Sequence, residues 1–492
     1  MRLFLLSVSA CAMIAIRSAD GQPPGGGGGF VAKLAVAKRF DTDGNGRLES
    51  NERHAAMEYL EANPQLRRQG RAAVVGSPTP PPPGPRLAPG DVQVYPASIP
   101  LFDAGTLRTV FLDFKETDWE RQLVSFHRTD ILVPATLTVD GQVYRDVGVH
   151  FRGENSFFMV RDGWKRSLTL NFNDVHADQN LLGYTGLHLL NFHEDPTFLR
   201  TILYMEIARR YFAAPKANFM RVVINGESWG VYANQQQFDK RFVRDHFHTA
   251  KGARFRSPGR SSNGAFGYLG NDMAIYKQFY ALRGEDDPKA WSDLIRLCKL
   301  LNQTPPEALV KAVEPLLDID GALAWLALDN VVVNDDSYWH DGNDFAVYQD
   351  PQRRFHLVPH DVNEAFRPVK MRSGGDGLRI DPFTNMTNKD RPLLKLLVAP
   401  ELRTRYLRLV KEMAENWLDW AKLAPIVERY RALIAADVST DTHKHFSTNE
   451  FDTGVYGVGD GSPAAALTLK GFCERRRAYL LNLPEIKKLD QE

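Results

Sequence analysis

An α+β architecture with a cleft between two parts is the fold class that the sequence predicts. Strand-like runs of apolar residues come first, at residues 109–114, 135–139, 143–151 and 167–172. Helical spacing follows, at residues 199–212, 290–302 and 321–333, and it dominates the last third across 393–438 and 464–481. A short strand pair near residues 345–358 separates these blocks. Clefts between such parts commonly bind ligands.

Length and composition exclude several classes of protein. The chain has 492 residues, so it holds roughly three domains or one large core with appendages. Apolar residues make up 43% and charged residues 25%, which excludes bulk disorder. The 61 basic and 60 acidic residues leave a net charge of +1, so no chain-wide field attracts polyanions. A nucleic-acid partner is therefore not expected.

Residues 1–19 have the pattern of a secretory signal. A single early charge, Arg2, precedes an apolar stretch that is too short to span a bilayer, and no later segment is a transmembrane candidate. We expect a secreted, periplasmic or cell-surface protein, with a lipoprotein site at Cys11 as the alternative. Export removes Cys11 and leaves Cys298 and Cys473, which could form a disulfide or remain as two buried thiols.

Residues 41–52 match the twelve-residue EF-hand calcium loop, within a predicted helical module at 30–64. The candidate calcium ligands are Asp41, Asp43, Asn45, Arg47 through its backbone carbonyl, Glu49 and Glu52. Gly46 allows the sharp turn at position six of the loop. The alternative is an acidic turn that binds nothing. Because EF-hands usually pair and only one loop is visible, we expect a structural or docking site and not a sensor.

The segment at 70–95 is predicted to be a linker between this module and the main domain at 96–485. Its Pro-rich tract, residues 77–90, cannot form a helix or a central strand and is typical of an extended spacer. Further along, residues 250–270 are rich in Gly, Ser and Arg and predict a mobile basic loop. A solvated surface loop is the favoured interpretation of that loop, and a lid over phosphates is the alternative.

No HExxH, CxxC pair or Walker glycine loop is evident in the main domain. The remaining candidates for a functional site are polar residues that lie inside apolar runs. These runs lie at residues 147–165, 189–206, 222–232 and 329–366. Four motifs recur in them: RG-x-x-S at 152–156 followed by Lys165, N-G-x-x-x-G-V-Y at 225–232, N-x-D…N at 334–343, and P-x-D at 359–361.

In these motifs, over residues 101–481, the chain resembles the spore-coat CotH kinase family, a set of secreted or coat-associated relatives of the protein kinase fold. The resemblance implies an atypical, kinase-like, two-lobed domain. It also implies ATP-dependent phosphoryl transfer to Ser or Thr of a protein substrate, with magnesium or manganese. The implied partners are a nucleotide and a coat or cell-surface protein.

Phosphoryl transfer needs a cation near the phosphates, oxygen ligands for a divalent metal, and a carboxylate that orients the attacking hydroxyl. The candidates are Asp336 and Lys165 for catalysis, Arg152, Lys165, Arg200 and Glu206 for nucleotide binding, and Asn343 and Asp361 for magnesium. Glu206 is expected to form an ion pair with Lys165. Asp335 is the alternative to Asp336 as the catalytic carboxylate. Buried ion pairs or turns are the structural alternatives for these residues.

Two departures from the family pattern replace acids by amides, at Gln236 and Asn363, and reduce the negative charge available for a second metal. They leave open a non-catalytic, calcium-binding surface or coat assembly protein with a pseudokinase-like domain. A metal-dependent phosphoester hydrolase is a third hypothesis. His443 and His445 could suggest a metal site, but a solvated loop is the favoured interpretation.

Overall fold

The computed structural model describes residues 33–67, 70, 72–257, 264–369, 377–457 and 468–490, so the predicted signal at 1–19 lies outside the described residues. The α+β class is confirmed. The strands are β1 (Arg108–Phe114), β2 (Val133–Val139), β3 (Gln142–Phe151), β4 (Leu168–Asn171), β5 (Gly186–Leu190), β6 (Ala217–Ile224), β7 (Glu227–Gln235), β8 (Ala253–Arg256), β9 (Ala281–Arg283), β10 (Phe345–Gln349) and β11 (Phe355–Pro359).

The helices follow the predicted order, with the long ones concentrated after residue 285. They are α1 (Ala37–Phe40), α2 (Ser50–Ala62), α3 (Trp119–Ser125), α4 (Asn155–Phe158), α5 (Arg200–Ala208), α6 (Lys240–Phe247), α7 (Met273–Tyr276), α8 (Pro288–Gln303), α9 (Pro306–Val313), α10 (Ile319–Val331), α11 (Pro400–Trp417), α12 (Trp420–Thr440), α13 (Thr448–Tyr456), α14 (Leu469–Leu481) and α15 (Pro484–Lys488).

Strands β1–β7 form a closed barrel in the order β1-β2-β3-β4-β5-β7-β6. Neighbouring strands are antiparallel except β1 and β6, whose parallel pairing closes the barrel. In β2 every second residue is buried, from Val133 to Val139, and these side chains join one hydrophobic core inside the barrel. Closure pairs the edges that an open sheet would leave free.

The remaining strands form a small sheet in the order β11-β10-β8-β9. One face of it, including Phe255, Val347 and Leu357, packs into a second and larger core with Trp291 of α8 and Trp325 of α10. Strand β8 falls inside the segment predicted to be a mobile loop, so that prediction is wrong for residues 253–256. Residues 258–263 of the same segment lie outside the described part of the chain.

The N-terminal module packs directly on the barrel. Ala56, Met57 and Leu60 of α2 belong to the barrel core, and Arg53 forms a 2.8 Å ion pair with Glu116. The Pro-rich tract runs along the barrel as well: the Gly84 N–H donates to Glu227 Oε1 over 2.9 Å. The tract therefore does not hold the module and the main domain apart.

Within the described residues, no helix is long and apolar enough to cross a membrane. Within the described part of the chain, Cys298 and Cys473 form no disulfide, and both are fully buried. Burial raises the pKa of both thiols, because a thiolate is poorly solvated in an apolar core. Of the two possibilities that the sequence left open, the structure therefore has the buried thiols.

Candidate functional site

Polar side chains converge where β10 begins and β11 ends. The register pairs Phe345 with Pro359, so Asp344 lies opposite His360, whose N–H donates to the Asp344 carbonyl over 3.1 Å. The loop after α10 reaches the same point: Asn343 Nδ2 donates to Asp336 Oδ1 over 2.9 Å and to Asp344 Oδ2 over 3.2 Å. Asp336, Asn343, Asp344 and Asp361 are called the strand-end cluster below.

The strand-end cluster concentrates negative charge. Burial raises the pKa of Asp344 well above its usual range, and repulsion from Asp336 and Asp361 raises it further. Burial also raises the pKa of Asp361; Arg152 opposes that rise, and Asp336 adds to it. Asp344 and Asp361 have left-handed backbone, with φ of 54° and 50°. Such conformations are costly for residues other than glycine and occur often at functional sites.

Asn343 has the best-defined geometry for a cation ligand. Its side chain is 2% exposed, and its amide nitrogen is fixed by Asp336 and Asp344. The Oδ1 atom is buried and has no hydrogen-bond partner among the described residues. A buried, unpaired carbonyl oxygen is costly. Carboxylate and amide oxygens are the ligands that magnesium prefers, so the strand-end cluster fits a divalent cation.

Arg152 contributes the nearest positive charge from the barrel. Its backbone N–H donates to the Ser167 carbonyl over 2.9 Å, which holds it beside β4. Burial lowers the pKa of its guanidinium, and attraction to Asp361 and Asp344 opposes that change. Among the described residues, no carboxylate lies within ion-pair distance of this guanidinium. Arg152 therefore retains donors for an anionic ligand.

A second group of carboxylates is bound by Arg367. Its guanidinium contacts Glu194 Oε2 at 2.6 Å, Asp335 Oδ1 at 3.5 Å and the Glu364 carboxylate. Burial, opposed by Arg367, raises the pKa of Glu364 to about 8. Because Asp335 faces Arg367, it is Asp336 that the fold brings to Asn343.

The Lys165 ammonium has its partners outside the strand-end cluster. Its fully buried ammonium forms an ion pair with Asp441 and donates to the Val231 carbonyl over 2.9 Å. Burial lowers the pKa of Lys165, and Asp441 opposes the shift. The expected pair with Glu206 is wrong, because Glu206 accepts a hydrogen bond from the Tyr430 hydroxyl instead. Among the described residues, neither Lys165 nor Glu206 forms an ion pair or hydrogen bond with the strand-end cluster.

The segment around Asp441 is packed against the barrel, so the prediction of a solvated loop is wrong. The His443 ring stacks on Trp229 with centroids 3.9 Å apart, and His445 Nε2 contacts the Lys165 carbonyl at 2.7 Å. Gly230, in the N-G-x-x-x-G-V-Y motif, has φ of 70° and lies so close to Asp441 that a Cβ would be 2.0 Å from Oδ2. The motif therefore makes room for the partner of Lys165.

Three other singled-out residues have local partners. Arg200 lies 3.7 Å from Asp195 and donates to the Glu194 carbonyl over 2.9 Å, which matches the ion-pair alternative. Asn363 donates to the His193 carbonyl over 3.1 Å. Gln236 donates to Asp245 Oδ2 over 3.0 Å. None of these side chains hydrogen-bonds to the strand-end cluster within the described chain.

The residues of the predicted calcium loop lie together. Carboxylate oxygens of Asp41, Asp43 and Glu52 lie within 4.8 Å of one another, and Gly46 N–H donates to Asp41 Oδ2 over 2.9 Å. Asn45 Nδ2 donates to Asp43 Oδ2 over 2.8 Å and to Glu49 Oε1 over 3.0 Å. Hydrogen bonds from Thr42 lower the pKa of Glu52 to about 2. Asp41 Oδ1 is buried and has no hydrogen-bond partner in the part of the chain that the structure describes.

Sequence reasoning missed two residues of the site. Asp344 follows Asn343 directly and precedes an apolar strand, so its position at a strand start was a usable signal. Arg256 lies at the end of β8 and contacts His360, but it belongs to the segment interpreted as a loop. Only the pairing of β8 with β10 brings it to the site.

Comparison with known proteins gives one family and two relatives. The family described as CotH kinase protein matches residues 149–480, about two thirds of the chain. The inner spore coat protein H of Bacillus subtilis is 24% identical over 327 residues, which cover 65% of this chain and 85% of that protein. The invasin CotH3 of Rhizopus delemar is 22% identical over 280 residues, covering 54% and 45% respectively. The calcium-loop residues precede the family match.

Proposed function

Because the chain belongs to the CotH kinase protein family, we propose that it is an exported enzyme that transfers a phosphoryl group from ATP to Ser or Thr of a coat or surface protein. The observation that carries this proposal is the strand-end cluster, in which the Asn343 amide donates to Asp336 and Asp344 and its buried oxygen has no hydrogen-bond partner among the described residues. The names of the two relatives, a spore coat protein and an invasin, support a coat or surface location.

In this proposal Asn343, Asp344 and Asp361 hold the divalent cation. A bound magnesium or manganese ion supplies charge neutralisation along the phosphate chain. Asp336 orients the acceptor hydroxyl and takes its proton. The new O–P bond forms as the bond to the leaving ADP oxygen breaks. Asp336 is half-buried, and the Asn343 amide fixes one of its oxygens, which leaves the other for the acceptor.

Calcium binding by the EF-hand loop is the second component of the proposal. The exit helix α2 contributes Ala56, Met57 and Leu60 to the barrel core. Neutralisation of Asp41, Asp43 and Glu52 by calcium would stabilise this helix where it packs. Calcium then serves stability or docking, and it takes no part in phosphoryl transfer.

A non-catalytic coat assembly protein is the alternative function. It is favoured by one observation: the buried ion pair with Asp441 withholds the Lys165 ammonium from any nucleotide. Under this alternative the domain binds a partner and transfers nothing. Stabilisation by ATP would separate the two, because a ligand that binds the native state raises the melting temperature by mass action.

The direct test is incubation of the purified full chain with γ-labelled ATP and magnesium or manganese, followed by mass spectrometry of modified hydroxyls. Asp361→Asn should lose labelling, because the amide removes a charge from the cation site. The matched control is Asp178→Asn, an isosteric change at an exposed position without a side-chain partner at the site. Equal labelling by the wild type and Asp361→Asn would refute the assignment.

A further inference from the structure

The small sheet carries three arginines on one face. The register pairs Arg254 of β8 with Arg283 of β9 and pairs Arg256 with Ala281. Since side chains alternate along a strand, Arg254, Arg256 and Arg283 share the face opposite to Phe255. Phe255 points into the large hydrophobic core. The arginines therefore lie on the face opposite to the large core, where Ala346 and Tyr348 pack with Phe242 of α6.

The three guanidinium groups differ in their partners. Arg254 donates to the Phe238 carbonyl over 3.2 Å. Arg256 contacts His360 Nε2, which must accept because a guanidinium has only donors. Among the described residues, no carboxylate lies within ion-pair distance of Arg256 or Arg283. Arg283 and Arg152 repel the Arg256 guanidinium, and an anion beside Arg256 would relieve that repulsion.

Arg256 lies at the same strand ends as the proposed cation site. It pairs in register with Ala346, two residues after Asp344, and Ala346 in turn pairs with Val358, which precedes His360 and Asp361. Arg152 approaches the same place from the end of β3. Burial, together with repulsion from Arg283 and Arg152, lowers the pKa of Arg256 to about 9, and Asp344 and Asp361 oppose the shift. Positive and negative groups thus lie side by side.

We propose that Arg256 binds the phosphate chain of the nucleotide together with Arg152, which the sequence already named for nucleotide binding, and that this pair takes the role expected of Lys165. This inference rests on the proposed function, because it names residues of the same site. A guanidinium offers two parallel donors that match phosphate oxygens, and it remains charged when partly buried. His360 positions Arg256 by accepting one of its N–H groups, and the remaining donors are left for the ligand.

The source of the phosphate could be ATP or a phosphorylated acceptor. The position beside Asp344 and Asp361 favours the nucleotide, because a divalent cation bridges carboxylates to the phosphates of a nucleotide. The basic segment at 250–270 thereby contributes Arg256 to phosphate binding. The sequence had favoured a surface loop for this segment, with a lid over phosphates as the alternative.

The test measures binding to the full chain by calorimetry with magnesium present, using ATP, adenosine, inorganic tripolyphosphate and O-phosphoserine as probes. Arg152→Gln and Arg256→Gln should each weaken ATP and tripolyphosphate binding about tenfold to a hundredfold, as expected when a charge-assisted contact is lost. Adenosine affinity should not change. The matched control is Arg254→Gln on the same strand and face, which should bind ATP like the wild type. Circular dichroism confirms that each variant is folded.

Several results would overturn the inference. It fails if the wild type does not bind tripolyphosphate, or if folded Arg256→Gln binds ATP with unchanged affinity. It also fails if the arginine variants lose binding of O-phosphoserine but keep binding of ATP and tripolyphosphate, because the arginines would then bind a phosphorylated acceptor and not the nucleotide. If the arginine variants bind ATP normally and transfer persists, the phosphate assignment fails and the proposed function stands. If tripolyphosphate binding depends on both arginines and no transfer occurs, the phosphate assignment stands and the proposed kinase function fails.

Discussion

The predicted calcium loop and the strand-end cluster both gather carboxylates, but they are built in opposite ways. The loop takes Asp41, Asp43 and Glu52 from twelve consecutive residues, and hydrogen bonds within the loop lower the pKa of Glu52 to about 2. The strand-end cluster takes its acids from a loop and two strand ends, and burial and mutual repulsion raise the pKa of Asp344 and Asp361. Hydrogen bonds within the loop stabilise the first group of carboxylates, whereas burial and mutual repulsion destabilise the charged form of the second.

This difference predicts that removing a carboxylate from the strand-end cluster abolishes activity without loss of stability. Asp361→Ala and Asp336→Ala should lower the transfer rate by about a thousandfold or more, since each removes an electrostatic contact of the transition state. Their melting temperatures should equal or exceed that of the wild type, because a repelling charge has gone. Initial rates and thermal denaturation measure both quantities, and full activity in Asp361→Ala would contradict the prediction.

At the Lys165–Asp441 pair we expect substitution to reduce stability, in contrast to the strand-end cluster. Lys165→Met leaves Asp441 as an uncompensated buried charge and should cost about 3–5 kcal/mol in the free energy of unfolding. The double variant Lys165→Met/Asp441→Leu should recover most of that loss. Urea denaturation at neutral pH measures the free energies. If Lys165→Met were fully stable and bound ATP more weakly, Lys165 would be a nucleotide ligand and not a structural cation.

Asp329 provides a buried carboxylate that belongs to neither group. It accepts a hydrogen bond from the Tyr204 hydroxyl over 2.6 Å, and burial raises its pKa from 3.8 to about 7. A raised carboxyl pKa means that the folded state binds the proton more tightly, so stability falls as pH rises from about 4 to about 7.

Asp329→Asn should therefore match the wild type near pH 4 and exceed it by about 2–4 kcal/mol at pH 8. The measurement is urea denaturation at both pH values. A difference between the two proteins that does not depend on pH would show that the Asp329 carboxyl titrates normally.

The smallest effect is expected at the EF-hand loop. Removing calcium from the full chain should lower the melting temperature by a few degrees, since saturation at a hundred times the dissociation constant is worth about 2.7 kcal/mol. Glu52→Gln should abolish the response to calcium, whereas Asp178→Asn should keep it. An equal response to magnesium would argue against an EF-hand site.

The sequence predicted what is local and missed what depends on pairing. The spacing of Asp41 to Glu52 lies within one loop, so its residues could be identified without a structure. Periodicity also marked β1–β4, the pair β10 and β11, and most of the long helices, but it did not mark β5, β8 or β9. Strand pairing, by contrast, brings Arg256 and Asp344 to Asp361, and no sequence pattern states that β8 lies between β9 and β10.

Lys165 illustrates the same limit from the other side. Its position after RG-x-x-S made it the expected phosphate ligand, but its partner Asp441 comes 276 residues later and packs against Gly230. A charged residue in a motif indicates that a residue of opposite charge lies nearby in the fold, but the motif does not indicate which residue that is. The expected partner Glu206 is instead held by Tyr430.

Electron paramagnetic resonance of manganese on the full chain, with the predicted calcium loop saturated by calcium, shows whether the strand-end cluster binds a metal–nucleotide complex. We expect bound manganese that depends on ATP, is lost in Asp361→Asn and persists in Glu52→Gln. Manganese binding that is independent of ATP, unchanged in Asp361→Asn, or lost with Glu52→Gln would contradict it.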